Sequence, residues 1–319
     1  MSRTEQVLQT FRQSRRGLLA FDEQLVTLRR PGSLPSIITS AELRRTFHET
    51  CIAATGLSPW IGGICVFEET LRQHTASGNT LPALITERHM TVGVRMDTGS
   101  VPFAAGYLVT DGIDDLAIRL NRTAAYGAQF ATWHMALRSN AQISGCEPAF
   151  AEDCDRAATF VTAAQQADLL PLLAVDAGPH GEASARAADC HQHFFRRLIS
   201  VLKRRFARLP PIAIQVRLRP AVGGNGGARR VALLQTIRAE LPESIAILFL
   251  GVDDADQFVQ AMSAFGEAAD LPWPVRYALG PSTQTRLLAS WQDTSADQKT
   301  LERLLLEQVR ASSGALTKS

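Results

Sequence analysis

The stretch from Ile212 to Leu218 alternates apolar and β-branched residues with Gln215 and Arg217, and it closes on Arg219 and Pro220 before the glycine-rich run Gly223 to Gly227. Such an alternation reads as a β-strand. Arg217 and Arg219, two positions apart, then lie on one side of it. A guanidinium stays protonated at all working pH. It can hold a carboxylate or phosphate in a bidentate grip, but it cannot serve as an amine nucleophile. The glycine run offers backbone amides to the same anion, or serves only as a mobile loop. Other apolar runs end on Asp22, Asp97, Asp176 and His134. Carboxylates and an imidazole at strand ends are candidate general acids and bases, and His134 could work with Asp176 or Asp97. Each feature also has a plainer reading. The arginines could be struts paired with Asp22, Asp97 or Asp176, and His134 could be a hydrogen-bonded filler. Asp22, Asp97, His134 and Asp176 lack metal-ligand spacing, so no metal is expected. His191 and His193 are two apart on a helix and do not face each other.

These residues need a scaffold that brings distant strand ends together. The hydrophobic pattern predicts strands at 17–21, 60–67, 91–96, 128–133, 169–175, 212–220, 245–250 and 274–279. Helical segments fall between them, near 41–55, 69–73, 113–125, 147–166, 182–209, 229–241 and 253–265, with 283–292 and 296–310 closing the chain. Ser40 is a fitting N-cap, and Pro148 is expected in the first turn of its helix. Residues 312–319 read as a loose C-terminal tail, and His134 is placed at the end of the fourth strand. Eight strands, each followed by helix, imply a parallel sheet closed into a single (β/α)8 TIM barrel, α/β in class, over residues 1–319. An open doubly wound sheet would need a glycine-rich phosphate turn after an early strand, and Asp22-Glu23-Gln24 is not one.

The 319 residues suit one such barrel; 45% are hydrophobic and 20% charged, enough for a sizeable core. A net charge of +2 gives no nucleic-acid signature. Only Lys203, Lys299 and Lys318 are lysines, which leaves few amines for covalent chemistry. Five scattered cysteines with no C-x-x-C pair argue against a disulfide framework or a zinc site. With no long apolar run and no signal core, the chain is expected to be cytoplasmic, with no membrane partner.

Ordered blocks along the chain resemble the class I, Schiff-base fructose-bisphosphate aldolases. They are Gly17-x-Leu19-Ala20-x-Asp22-Glu23, Ile61-Gly62-Gly63-Ile64-Cys65-Val66-Phe67-x-Glu69-Thr70-Leu71, Val92 to Pro102, Asp111 to Leu116, and Gly127-Ala128-Gln129-Phe130-Ala131-x-Trp133. The resemblance implies the aldolase barrel and a family of glycolytic lyases that use no cofactor. It also implies which residues should carry the chemistry, and most are replaced. Arg219 stands where the Schiff-base lysine belongs, Thr132 where a second lysine belongs, and Arg95 where a third does. His134 replaces an arginine, Ala174 a glutamate and Pro281 a phosphate-binding arginine, while Gly251-Val252 replaces a serine-glycine pair. Asp22, Asp97 and Trp133 are kept, and Asp176 matches a second acid. The expectation is a diverged homologue without Schiff-base chemistry, a pseudoenzyme that binds an anionic, phosphorylated small molecule. Arg95, Trp133, Arg217, Arg219, Gly251 and Gly280 are its ligand-facing candidates. The alternatives are an enzyme with rebuilt acid/base chemistry on Asp22, Asp97, His134 and Asp176, with Arg95 and Arg219 holding an anionic substrate, or a variant glycolytic aldolase that needs an amine elsewhere. The family is commonly tetrameric, which makes a homo-oligomer an expectation too.

Overall fold

The computed structural model describes residues 2–13, 15–22, 40–103, 107–137, 143–177, 185–218, 235, 238–241, 248–252, 272–291 and 298–317. Arg219, the glycine run 223–227 and the helix expected at 253–265 lie outside the described residues, as does most of the helix expected at 229–241.

Eight parallel strands form a closed barrel: β1 (Gly17–Phe21), β2 (Ile61–Val66), β3 (Thr91–Arg95), β6 (Phe130–Leu137), β7 (Leu170–Ala177), β8 (Ala213–Leu218), β9 (Leu248–Val252) and β10 (Val275–Leu279). Strand pairing runs in sequence order and closes where β1 meets β10, with Leu18 opposite Ala278. An antiparallel hairpin, β4 (Gly99–Pro102) with β5 (Leu108–Asp111), follows β3. It stands outside the barrel sheet, and the eight-strand expectation did not include it.

The period-two pattern sorts side chains to two sides of this sheet. Leu19, Phe21, Ile64, Val66, Val92, Val94, Trp133, Leu173, Val175, Ile214 and Val216 belong to the larger buried cluster, packed under the helices. Leu18, Ala20, Cys65, Phe130, Leu170, Leu172, Ala174, Ala213 and Ala278 form a separate cluster inside the barrel. Val7, Leu8 and Phe11 of α1 (Arg3–Gln13) join them from the N-terminal end. Phe11 meets Phe130 edge-on, ring centroids 5.6 Å apart. Space for the two rings comes from glycines. A Cβ on Gly93 would lie 2.0 Å from the Phe130 ring, and one on Gly63 would lie 3.0 Å from Phe11. Arg276 closes this end, donating to Phe11 O (3.1 Å), Arg12 O (2.7 Å) and Val275 O (2.8 Å). Burial and the nearby Arg15 charge lower its pKa to about 10.

The outer helices are α2 (Ala41–Ala53), α3 (Glu68–Leu71), α4 (Leu81–Glu87), α5 (Leu116–Ala125), α6 (Ile143–Gln166), α7 (Ala185–Arg205), α8 (Pro281–Trp291) and α9 (Gln298–Thr317). Ser40 caps α2 as expected, accepting from the Leu43 amide. Several boundaries differ from the sequence reading. α6 begins at Ile143, so Pro148 lies inside it rather than in its first turn. The expected loose tail is helical to Thr317, anchored by buried Val309, Ser312 and Ser313. β6 runs on to Leu137, so His134 sits within the strand and not at its end. No described helix is long and apolar enough to cross a membrane.

Candidate functional site at the barrel mouth

Above the apolar plug the same inward positions become polar. Register carries Asp22 from β1, Cys65 from β2, Arg95 from β3, Thr132 and His134 from β6, Asp176 from β7 and Arg217 from β8 toward the C-terminal end of the barrel. That end is where barrels of this class keep their chemistry.

Arg95 and Asp97 form the most enclosed charge pair. Arg95 Nη2 donates to Asp97 Oδ1 at 2.8 Å and Nε to Oδ2 at 2.9 Å, with side-chain exposures of 10% and 0%. Arg95 Nη1 also donates to Asp22 O at 2.9 Å, and its guanidinium lies 5.8 Å from the Phe67 ring centroid. Asp97 in turn accepts the His134 backbone N–H at 2.9 Å. Arg95 is therefore a strut that ties three strand ends together, not an open ligand donor. The loop is fixed from outside as well. Arg119 of α5 donates to Met96 O and to Gly112 O, and Thr98 Oγ1 donates to Asp111 Oδ2 at 2.9 Å.

His134 pairs with Asp22, and not with Asp176 or Asp97 through its ring. Its Nε2 is 3.2 Å from Asp22 Oδ2, with the carboxylate 3% exposed and the imidazole 28% exposed. Burial pushes the Asp22 pKa up. The charge and hydrogen bond of His134, the Arg95 charge and the Cys65 hydrogen bond together outweigh it and hold the carboxyl below its ordinary value. Cys65 Sγ donates to the same oxygen at 3.4 Å and lies 3.4 Å from Thr132 Oγ1. Burial, followed by the Asp22 charge, raises the Cys65 thiol well above its usual range. Cys65 and Thr132 were not among the candidates. The signal was available: Cys65 shares the inward parity of Gly63 on its strand, and Thr132 that of Phe130 and His134.

Arg217 Nη1 lies 3.8 Å from Asp176 Oδ2, both partly exposed at 28% and 20%. This pair is reached by solvent in part. Gly251 pairs with Arg217 across β8 and β9. Gly280 follows β10, and a Cβ there would meet nothing within 4 Å, so no close approach demands glycine. Trp133 does not reach the mouth. It is fully buried on the outer side of β6 and stacks on Phe160 of α6 at 5.4 Å. Its odd position, one residue from Thr132 and His134, puts it on the opposite face of the strand. Among the described residues, no group of three or more His, Cys, Asp and Glu is placed to hold a metal ion.

A closed parallel barrel with its polar groups gathered at the C-terminal strand ends places the chain in the (β/α)8 class. The comparisons with known proteins sharpen this. The family described as "Glycolytic: Fructose-bisphosphate aldolase class-I" matches residues 4–319, and the chain belongs to that family. It is 27% identical over 312 residues to a probable fructose-bisphosphate aldolase class 1 of Xylella fastidiosa, covering 93% of this chain and 92% of the relative. It is 25% identical over 319 residues to fructose-bisphosphate aldolase B of Gallus gallus, covering 94% and 85%. Its fold matches that of Plasmodium falciparum fructose-bisphosphate aldolase, solved in complex with TRAP and a small-molecule inhibitor, with a TM-score of 0.81 at 20% identity, covering 98% and 94% of the two chains.

Proposed function

We propose that this member of the aldolase family has given up Schiff-base aldol cleavage and keeps its mouth as a site for an anionic, phosphorylated small molecule, in a binding or regulatory role. The observation that carries the reading is the absence of a lysine from every barrel strand: the chain's lysines are Lys203, Lys299 and Lys318. Lys203 lies on α7 and Lys299 on α9, both on the outer layer. Schiff-base formation needs an amine that can be deprotonated beside the bound carbonyl, and arginine at the mouth does not supply one. Arg217, partly exposed beside Asp176, and Arg219 two residues further on are the cations this reading assigns to the anion.

Titration of the whole protein with inorganic phosphate and with fructose 1,6-bisphosphate tests this. Both are expected to raise the melting temperature with no turnover, and the combined substitution Arg217→Ala and Arg219→Ala is expected to abolish the rise. A rise that survives the double substitution would remove the anion from the mouth.

The Asp22–His134 pair favours a second reading, an enzyme that uses acid/base chemistry without a covalent intermediate. A carboxylate behind an imidazole is a common way to build a general base. Turnover of a phosphorylated substrate that disappears in His134→Ala would favour this reading over simple binding.

A further inference from the structure

The hydrogen bonds beneath His134 have a direction. The Cys65 thiol, fully buried and held in its protonated form, has one hydrogen, and it goes to Asp22 Oδ2 at 3.4 Å. Its sulfur can then only accept from Thr132, whose Oγ1 lies 3.4 Å away. Asp22, held as a carboxylate, has no hydrogen to give. The remaining bond to Oδ2 must therefore be donated by His134 Nε2, at 3.2 Å. The chain reads Thr132 O–H to Cys65 S–H to Asp22 Oδ2, with Nε2–H of His134 arriving from the other side. In a neutral imidazole, one protonated nitrogen leaves the other bare. Nδ1 of His134 has no partner among the described residues, and the ring is 28% exposed at the mouth.

We infer that Thr132, Cys65 and Asp22 form a directional relay that fixes His134 as its Nε2–H tautomer and leaves Nδ1 as the proton-accepting atom of the mouth. Cys65 and Thr132 are positioning residues, since they act through Asp22. The two inward positions that carry the relay on β6, Thr132 and His134, are both places where the family resemblance calls for a cationic side chain. Their exchange converts a strand that would hold two permanent positive charges into one that holds a hydroxyl and an imidazole. The backbone of His134 is fixed independently by Asp97, so ring orientation rests on the relay while strand position does not. This inference rests on the reading of the mouth as the ligand site, but its test needs no ligand.

The test is long-range proton–nitrogen correlation NMR on the whole protein labelled with nitrogen-15 histidine, recorded where the His134 ring is neutral. The wild type is expected to show a protonated Nε2 and a bare Nδ1. Asp22→Asn and Cys65→Ala are each expected to shift the ring toward a mixture of tautomers, and Cys65→Ser, which keeps a donor of the same placement, is expected to restore the single tautomer. The unfolding midpoint and the signals of the other histidines serve as the control that each variant keeps its fold. A wild-type ring protonated at Nδ1 would overturn the inference. So would an unchanged tautomer in either Asp22→Asn or Cys65→Ala. Anion binding is read separately, by the phosphate titration, so a fixed tautomer with no phosphate response would defeat the proposed function and leave the relay standing.

Discussion

The two ends of the barrel interior are built from the same strands and do opposite things. At the N-terminal end, Phe11, Leu18, Phe130 and Leu170 close the axis with apolar packing, and Arg276, a buried cation, is held by carbonyl oxygens of α1. At the C-terminal end the described charged groups sit in acid–base pairs: Arg95 with Asp97, His134 with Asp22, Arg217 with Asp176. The first end resists change through shape, the second through charge balance. The difference predicts that substitutions at the bottom alter stability alone, whereas those at the mouth separate stability from ligand response.

The largest expected effect lies at the bottom. Phe11→Ala leaves a cavity between α1 and Phe130, and should cost about 4 kcal/mol, typical of a buried Phe→Ala change. Urea unfolding reads the cost, and the phosphate-induced shift in melting temperature should persist. At the mouth, Arg95→Met leaves the Asp97 carboxylate buried without its partner, at about 3 kcal/mol. Here both the urea midpoint and the phosphate response should fall, because Arg95 also holds the Asp22 carbonyl and Asp97 holds the His134 backbone.

Acid titration sharpens the comparison once two groups outside the interior are accounted for. His48, stacked on Phe21 and buried, has its pKa lowered to about 4 by burial and by the Arg44 charge. The unfolded chain takes up that proton first, so this group withdraws up to about 3 kcal/mol as pH falls from about 6.5 to 4. Asp153 of α6, which accepts the Thr110 amide of the hairpin at 2.7 Å, is raised to about 6 by burial. The folded chain takes up that proton first, so it returns stability over a similar range, and the two oppose each other. Asp153→Asn should therefore expose the His48 loss, seen as a urea midpoint that falls between pH 6.5 and 4.5 more steeply than in the wild type. Asp22 differs from both. With its pKa held low, its contribution is present above the ordinary carboxylate value and is lost only as pH falls through its own lower one, an acid-side loss that Asp22→Asn should remove. The smallest expected change in stability is His134→Ala, about 2 kcal/mol, because the buried Asp22 carboxylate loses this partner but keeps the Cys65 hydrogen bond. It should nonetheless remove any turnover that depends on Nδ1.

The sequence carried the barrel well because each buried strand is a short apolar run bounded by polar or glycine residues. It misplaced His134 because Met135, Ala136 and Leu137 continue the strand past a polar residue. It passed over α1, whose mean polarity hides a face made by Thr4, Val7, Leu8 and Phe11 at helical spacing. Alternation alone could have sent Trp133 to the outer face. The partner of His134 was harder to read. Asp22, Asp97 and Asp176 are all strand-end acids, and which of them is level with the ring depends on the stagger of strands around the barrel, a property of closure that no single segment encodes.

The central claim, that the mouth works without a Schiff base, is tested most directly by borohydride reduction in the presence of fructose 1,6-bisphosphate, followed by mass spectrometry of the whole chain and its peptides. The account predicts no reduced adduct on Lys203, Lys299 or Lys318, under conditions where fructose 1,6-bisphosphate still raises the melting temperature. A stoichiometric adduct on any of the three lysines would contradict it.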